Sequence, residues 1–191
     1  MDKIAIDIVL LPPPKMAEAA TLFSDELCAV YGEKMHLNAT DCLPHISLLM
    51  GVIEEKDLEK ASEILQEIVA THLPVQLEVT GVVSRTSSTS IEFERTTQFA
   101  ELQDLLIEKL RPLLSYQPEA EMFYDQPEPM TLQWVANFME NSTGENFSPH
   151  LTVGPASEDE QYDGQLYGKA SQIAICQLGN YCSCKKLLAT I

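Results

Sequence analysis

The order of the apolar patterns constrains the fold of this chain most, because the same order occurs twice. In the first half, a continuous apolar run is typical of a buried strand, and three consecutive prolines end it. Stretches with helical periodicity then alternate with strand-like stretches. The first half therefore predicts five elements: strand 3–11, helix 15–32, strand 45–53, helix 54–72 and strand 75–85.

The second half repeats this order around an insertion. The Pro-rich acidic stretch 117–129, QPEAEMFYDQPEP, accounts for the wider spacing of the later elements. Its prolines and acidic residues predict a mobile loop near the mouth of a cleft and a poor core element. The predicted elements are strand 90–95, helix 96–115, a short helix 130–141, and strands 150–154, 171–179 and 183–191. The chain thus reads as two copies of one unit.

Each copy carries one Pro-His-apolar-hydroxyl-apolar motif, LPHISLL in the first and SPHLTVG in the second. Side chains alternate between the two faces of a strand, so His45 and Ser47 share one face, as do His150 and Thr152. If the two copies pack about a pseudo-twofold axis, both pairs face one cleft. The motifs then place two imidazoles on either side of one point, with two hydroxyls between them.

This arrangement suits phosphodiester chemistry without a metal. A neutral imidazole can take a proton from an attacking water or hydroxyl, and an imidazolium can protonate the leaving oxygen. The hydroxyls can donate hydrogen bonds to the phosphate oxygens, on which charge develops. The sequence therefore predicts His45 and His150 as catalytic residues, Ser47 and Thr152 as phosphate-binding residues, and no cofactor. The near-identical motifs leave open which histidine is the acid.

The paired PHISLL and PHLTVG motifs resemble the two His-x-Thr/Ser-x motifs of the 2H phosphoesterase superfamily. This group includes 2′,5′ RNA ligase-like proteins and cyclic nucleotide phosphodiesterases. The resemblance implies a bilobal α+β fold of duplicated units, with mainly antiparallel sheets around a central cleft and helices outside. It also implies one domain over 1–191, with lobes at about 1–88 and 89–191 that can exchange chain segments. It makes the two histidines the acid–base pair and the two hydroxyls phosphate ligands.

Charge limits the class of substrate. The chain has 12 Lys and Arg against 29 Asp and Glu, a formal net charge of −17. A surface that follows many phosphates needs clustered cations, which argues against long nucleic acid and anionic membranes as partners. A small nucleotide or cyclic phosphate remains the expected substrate, because a local field can oppose the net charge. Two alternatives use the same residues: an RNA 2′,5′ ligase or end-processing enzyme, and a nucleotide-binding module without catalysis.

Five cysteines occur at no regular spacing. An odd and irregular set predicts reduced thiols and a cytoplasmic protein. The pair Cys182 and Cys184, with Cys176 nearby, falls short of the four ligands of a structural zinc site, so no metal is predicted. The sequence gives no indication of the oligomeric state.

Overall fold

The computed structural model describes residues 2–32, 35–157, 162 and 164–191. Within these residues the strands are β1 (Lys3–Leu11), β2 (Ile46–Glu54), β3 (Val75–Ser84), β4 (Thr89–Phe93), β5 (Leu114–Ser115), β6 (His150–Gly154), β7 (Tyr167–Ala170), β8 (Gln172–Leu178) and β9 (Cys184–Thr190). The helices are α1 (Pro14–Tyr31), α2 (Leu58–His72), α3 (Thr97–Leu110), α4 (Pro129–Ala136) and α5 (Phe138–Asn141). None of the described helices is long and apolar enough to cross a membrane.

The described strands form two sheets. The first has five strands in the order β5-β2-β1-β8-β9, and the second has four in the order β6-β4-β3-β7. All hydrogen-bonded neighbours among these strands are antiparallel. Each sheet takes strands from both halves of the chain. The predicted α+β class with mainly antiparallel sheets is confirmed.

Strand β1 is buried on both faces, which explains its continuous apolar sequence. Ile6 and Ile8 belong to the main core, together with the apolar faces of α2 and α3. On the opposite face, Val9 packs in a separate cluster with Ala174 and the side chain of Cys176. Asp7, which alternates with these core residues, also faces this second side and is fully buried.

The region after α3 departs from the prediction. The helix expected to reach residue 115 ends at Leu110, because Pro112 follows in a 3-10 turn. The two residues of β5 then pair with β2. The expectation that the stretch 117–129 contributes little to the core is wrong for Met122 and Phe123, which are both buried. Strand β7 is absent from the sequence prediction; the acidic stretch before it, residues 158–161 and 163, lies outside the described residues.

The cysteines also correct an expectation. Cys176 on β8 and Cys184 on β9 form a disulfide across the last hairpin. The prediction of reduced thiols is therefore wrong for this pair. Cys28, Cys42 and Cys182 are buried thiols.

Candidate active site

The two motifs lie at the beginnings of strands in different sheets. His45 directly precedes β2, in the five-stranded sheet, and His150 is the first residue of β6, at the edge of the other. Ile46 and Leu151, which follow the histidines, have no solvent exposure. The histidines and the hydroxyl residues two positions further on are partly exposed. The predicted alternation, with each imidazole and hydroxyl on one face, is present in both strands.

Each imidazole is held by the carbonyl of the residue two positions before it. His45 Nδ1 lies 2.7 Å from the oxygen of Leu43, and His150 Nδ1 lies 2.8 Å from that of Ser148. Because a carbonyl only accepts, Nδ1 carries the hydrogen in both rings, and Nε2 remains for chemistry. A buried proline separates donor and acceptor in each motif. Its fixed φ and the extended residue before it give both motifs the same local path.

The fold brings the two imidazoles into electrostatic range of each other. Strand β2 contacts β6, although they belong to different sheets. Burial lowers the pKa of His45, and the charge of His150 lowers it further, while the carbonyls of Leu43 and Cys182 oppose these effects. The side chain of His45 is 12% exposed, so its surroundings disfavour the charged ring.

A buried carboxyl group lies beside the first motif. Ser47 Oγ lies 2.6 Å from Oδ2 of Asp7, and His45 Nε2 lies 3.9 Å from the same oxygen. Burial raises the pKa of Asp7 well above its usual value, and the hydrogen bond with Ser47 opposes this rise. Sequence reasoning does not identify Asp7. The available signal is a carboxylate at the centre of an apolar strand.

The second motif has different neighbours, which come from β4. Ser90 is paired with Thr152 across the ladder, and their hydroxyl oxygens are 3.4 Å apart. Glu92 is paired with His150; its carboxylate accepts from Ser148 Oγ at 3.0 Å and from Arg85 at 2.8 Å. Sequence reasoning does not single out these β4 residues either.

The arrangement combines two Nε2 atoms and two strand hydroxyls near the contact of β2 and β6. Such a set can accept a proton, donate a proton and hydrogen-bond an anion. Among the described residues, no group of three or more His, Cys, Asp or Glu side chains is placed to hold a metal ion.

Two antiparallel sheets that each carry one Pro-His-x-hydroxyl strand define the class of 2H phosphoesterases. A family model described as the 2'-5' RNA ligase superfamily matches residues 12–172. Because the match covers well over half of the chain, the protein belongs to the 2′-5′ RNA ligase superfamily. The resemblance based on the two motifs is thereby confirmed. A search of curated proteins gave no match.

Solved structures share the fold. LigT of E. coli in apo form has a TM-score of 0.59 and 9% identity, with 100% of this chain and 98% of LigT covered. TT0787 of Thermus thermophilus has a TM-score of 0.61 and 12% identity, covering 98% of this chain and 97% of that one. LigT complexed with phosphate has a TM-score of 0.56 and 10% identity, covering 100% and 98%. At these identities the likeness concerns the fold.

Proposed function

We propose that the protein is a phosphodiesterase that opens a cyclic phosphate by acid–base catalysis with two histidines and no metal. The substrate is a 2′,3′-cyclic nucleotide or a related small nucleotide-derived cyclic phosphate. One observation carries the proposal: both histidines donate Nδ1–H to a carbonyl, which leaves two Nε2 atoms for proton transfer. Membership of the superfamily supports phosphoester chemistry.

The surroundings of the two rings assign their roles. We make His45 the general base, because burial and the charge of His150 lower its pKa and keep it neutral near pH 7. His45 Nε2 takes a proton from water as the water oxygen bonds to phosphorus. The bond between phosphorus and one ribose oxygen breaks, and protonated His150 gives its Nε2 proton to that oxygen. The product is a phosphomonoester, and proton exchange with solvent restores both rings.

The hydroxyls of Ser47 and Thr152 would bind the phosphate. Each lies two residues after a histidine on the same strand face, which supports a phosphate bound between the imidazoles with both hydroxyls facing it. Their hydrogen bonds to the non-bridging oxygens strengthen as negative charge develops. A relative of the same fold, LigT, has been crystallised with phosphate.

Local charge and shape favour a small substrate. Arg85, beside the second motif, is paired with Glu92, and Lys185 lies 3.6 Å from Asp125. These cations therefore offer little attraction to an RNA backbone. A cavity of about 520 Å³ is lined by the two residues before His45 and other mainly apolar side chains. None of His45, Ser47, His150 and Thr152 lines this cavity, so it could hold only a part of the substrate away from the phosphate. Its volume suits a small molecule, and its apolar wall suits a base more than a phosphate chain.

The test is hydrolysis of 2′,3′-cyclic mononucleotides with EDTA present, followed by phosphorus NMR. We expect His45→Ala and His150→Ala each to lower kcat by about 10²–10⁴-fold. The double variant should lose far less than the product of the single losses, because the two groups act as one unit. Thr152→Ala should lose on the order of 10²-fold. His72→Ala is the matched control, since His72 ends α2 and belongs to neither motif, and this variant should keep full activity.

The outcomes separate the alternatives. Turnover only of a tRNA-sized substrate would favour an RNA ligase or end-processing enzyme. Nucleotide binding without turnover would favour a binding module. Wild-type turnover by the double histidine variant would refute the proposed mechanism.

A further inference from the structure

The first motif has a buried carboxyl group as a neighbour. Asp7 lies in the middle of β1 and has no solvent exposure. Its Oδ2 is 2.6 Å from Ser47 Oγ, whereas its Oδ1 has no hydrogen-bond partner among the described residues. A buried carboxyl with one unpaired oxygen lowers the stability of a protein. Such a residue is typical of a site where function outweighs stability.

Strand pairing places no acid directly opposite either hydroxyl, because Ser47 is paired with Val9 and Thr152 with Ser90. Thr152 has the corresponding position on β6, and its partner across the ladder is the neutral hydroxyl of Ser90. The second motif also has a carboxylate beside it, Glu92, but that group contacts Ser148 and Arg85. The difference between the motifs is that the hydroxyl of Ser47 contacts a carboxyl group, whereas the hydroxyl of Thr152 contacts Ser90. His45 Nε2 lies 3.9 Å from the oxygen that contacts Ser47, so one carboxyl faces both functional side chains.

We propose that Asp7 is a positioning residue, whose carboxyl group holds the Ser47 hydroxyl so that it donates to the substrate phosphate beside His45. This inference rests on the function proposed above. Asp7 itself does not touch the phosphate; it acts through the serine.

The direction of the hydrogen bond decides whether this works, because Ser47 has a single hydroxyl proton. An ionised Asp7 would accept that proton, and the phosphate would then face the lone pairs of the serine. A neutral Asp7 donates its own proton to Ser47 Oγ and leaves the serine proton free for the phosphate. Ser47 Oγ is placed as the donor to an ionised Asp7, and this bond lowers the pKa of Asp7. Burial raises that pKa by more, which favours the neutral form, in which the direction of the bond reverses. A neutral carboxyl also allows His45 to remain uncharged, as a general base must be.

A double-mutant cycle tests the proposal. Asp7→Asn and Asp7→Ala are made in the wild-type chain and in a Ser47→Ala background. Binding of inorganic phosphate is measured by calorimetry, and kcat is measured on a 2′,3′-cyclic nucleotide. The asparagine amide can donate to Ser47 as the acid does, so Asp7→Asn should stay within about three-fold of wild type on both measures. Asp7→Ala should weaken phosphate binding and lower kcat by about ten-fold.

In the Ser47→Ala background, Asp7→Ala should cause no further loss, because the residue through which it acts is gone. Thr96→Ala is the control for lost stability. It removes the hydroxyl that accepts from the Phe99 amide at the start of α3 and should leave phosphate binding and kcat unchanged.

Two results would overturn the inference: equal losses from Asp7→Ala in both backgrounds, or a loss in Asp7→Asn as large as in Asp7→Ala. Failure of the proposed function looks different. A wild-type chain that binds phosphate but opens no cyclic nucleotide refutes the function, while the phosphate cycle still decides the role of Asp7. A wild-type chain that binds no phosphate refutes both.

Discussion

Reduction of the disulfide between Cys176 and Cys184 should destabilise the fold by an amount that follows from its loop length. The two cysteines are 8 positions apart. The loop-closure entropy of so short a loop corresponds to about 2.5 kcal/mol at 25 °C. The unfolding midpoint in urea should therefore fall by about 1 M, since m for a chain of this size lies near the upper part of about 1–3 kcal/mol per M.

The assay is urea unfolding with and without a phosphine reductant, followed by far-UV circular dichroism. Cys176→Ala/Cys184→Ala should unfold at the same urea concentration with and without reductant. Cys42→Ala, which removes a buried thiol outside the disulfide, should keep the full response to reductant. An unchanged midpoint for the reduced wild-type chain would refute the reasoning.

The β8–β9 hairpin, which carries the disulfide, also contacts the segment that holds His45. Turnover therefore provides a second measurement of the effect of reduction. The amide of Leu43 donates to the carbonyl of Cys184 at 3.1 Å, and the carbonyl of Leu43 accepts from His45. These contacts use backbone atoms and do not require the sulfur bridge. We therefore expect kcat without urea to survive reduction. Loss of turnover before any unfolding would show that the bridge itself holds His45 in place.

Two further predictions concern pH and the stretch 117–129. The pH profile of kcat/KM should be a bell that reports the coupled histidine pair. The acidic limb of this profile should lie below pH ~6.5, the ordinary pKa of histidine. Burial, first, and the charge of His150, second, lower the pKa of His45. Asp7 and Cys182 also face this ring. An acidic limb above that value would contradict His45 as the base. Phe123→Ala should lower the free energy of unfolding by about 3–5 kcal/mol, because Phe123 is 6% exposed and belongs to the core. A loss below about 1 kcal/mol, measured by urea unfolding, would show that the stretch 117–129 contributes little to the core, as the sequence predicts.

Much of the fold was predictable because its longer elements carry their own periodicity. The predicted strand 3–11 coincides with Lys3–Leu11, and strand 150–154 with His150–Gly154. The short strands were not predictable in this way. Leu114–Ser115 forms a strand only because β2 offers an open edge there. Burial of Phe123 depends equally on distant residues, as its neighbour Tyr124 donates to the carbonyl of Leu178.

The residues of the candidate site also fall into two groups, those that a local pattern predicts and those that depend on distant parts of the chain. The histidines and hydroxyls were identifiable because a repeated local motif is visible in one dimension. Asp7 was not, because its partner, Ser47, lies 40 positions away along the chain. Ser90 likewise meets Thr152 only through pairing of β4 with β6. Local spacing therefore yields the proposed catalytic and phosphate-binding residues, whereas strand register determines which side chains lie beside them.

The surroundings of the two motifs also suggest how one local pattern that occurs twice could serve the two opposite roles proposed here. Catalysis as proposed needs one neutral and one protonated imidazole at the same moment, yet both rings have the same Nδ1 hydrogen bond. Local sequence therefore cannot distinguish them. Packing does: His45 lies beside the fully buried Asp7, whereas His150 begins an edge strand and pairs with a Glu92 that is bound to Arg85. A charged ring loses more hydration in the first environment than in the second. The repeated motif supplies two imidazoles with the same local hydrogen bond, and in the proposed mechanism their unequal burial makes His45 the base and leaves His150 as the acid.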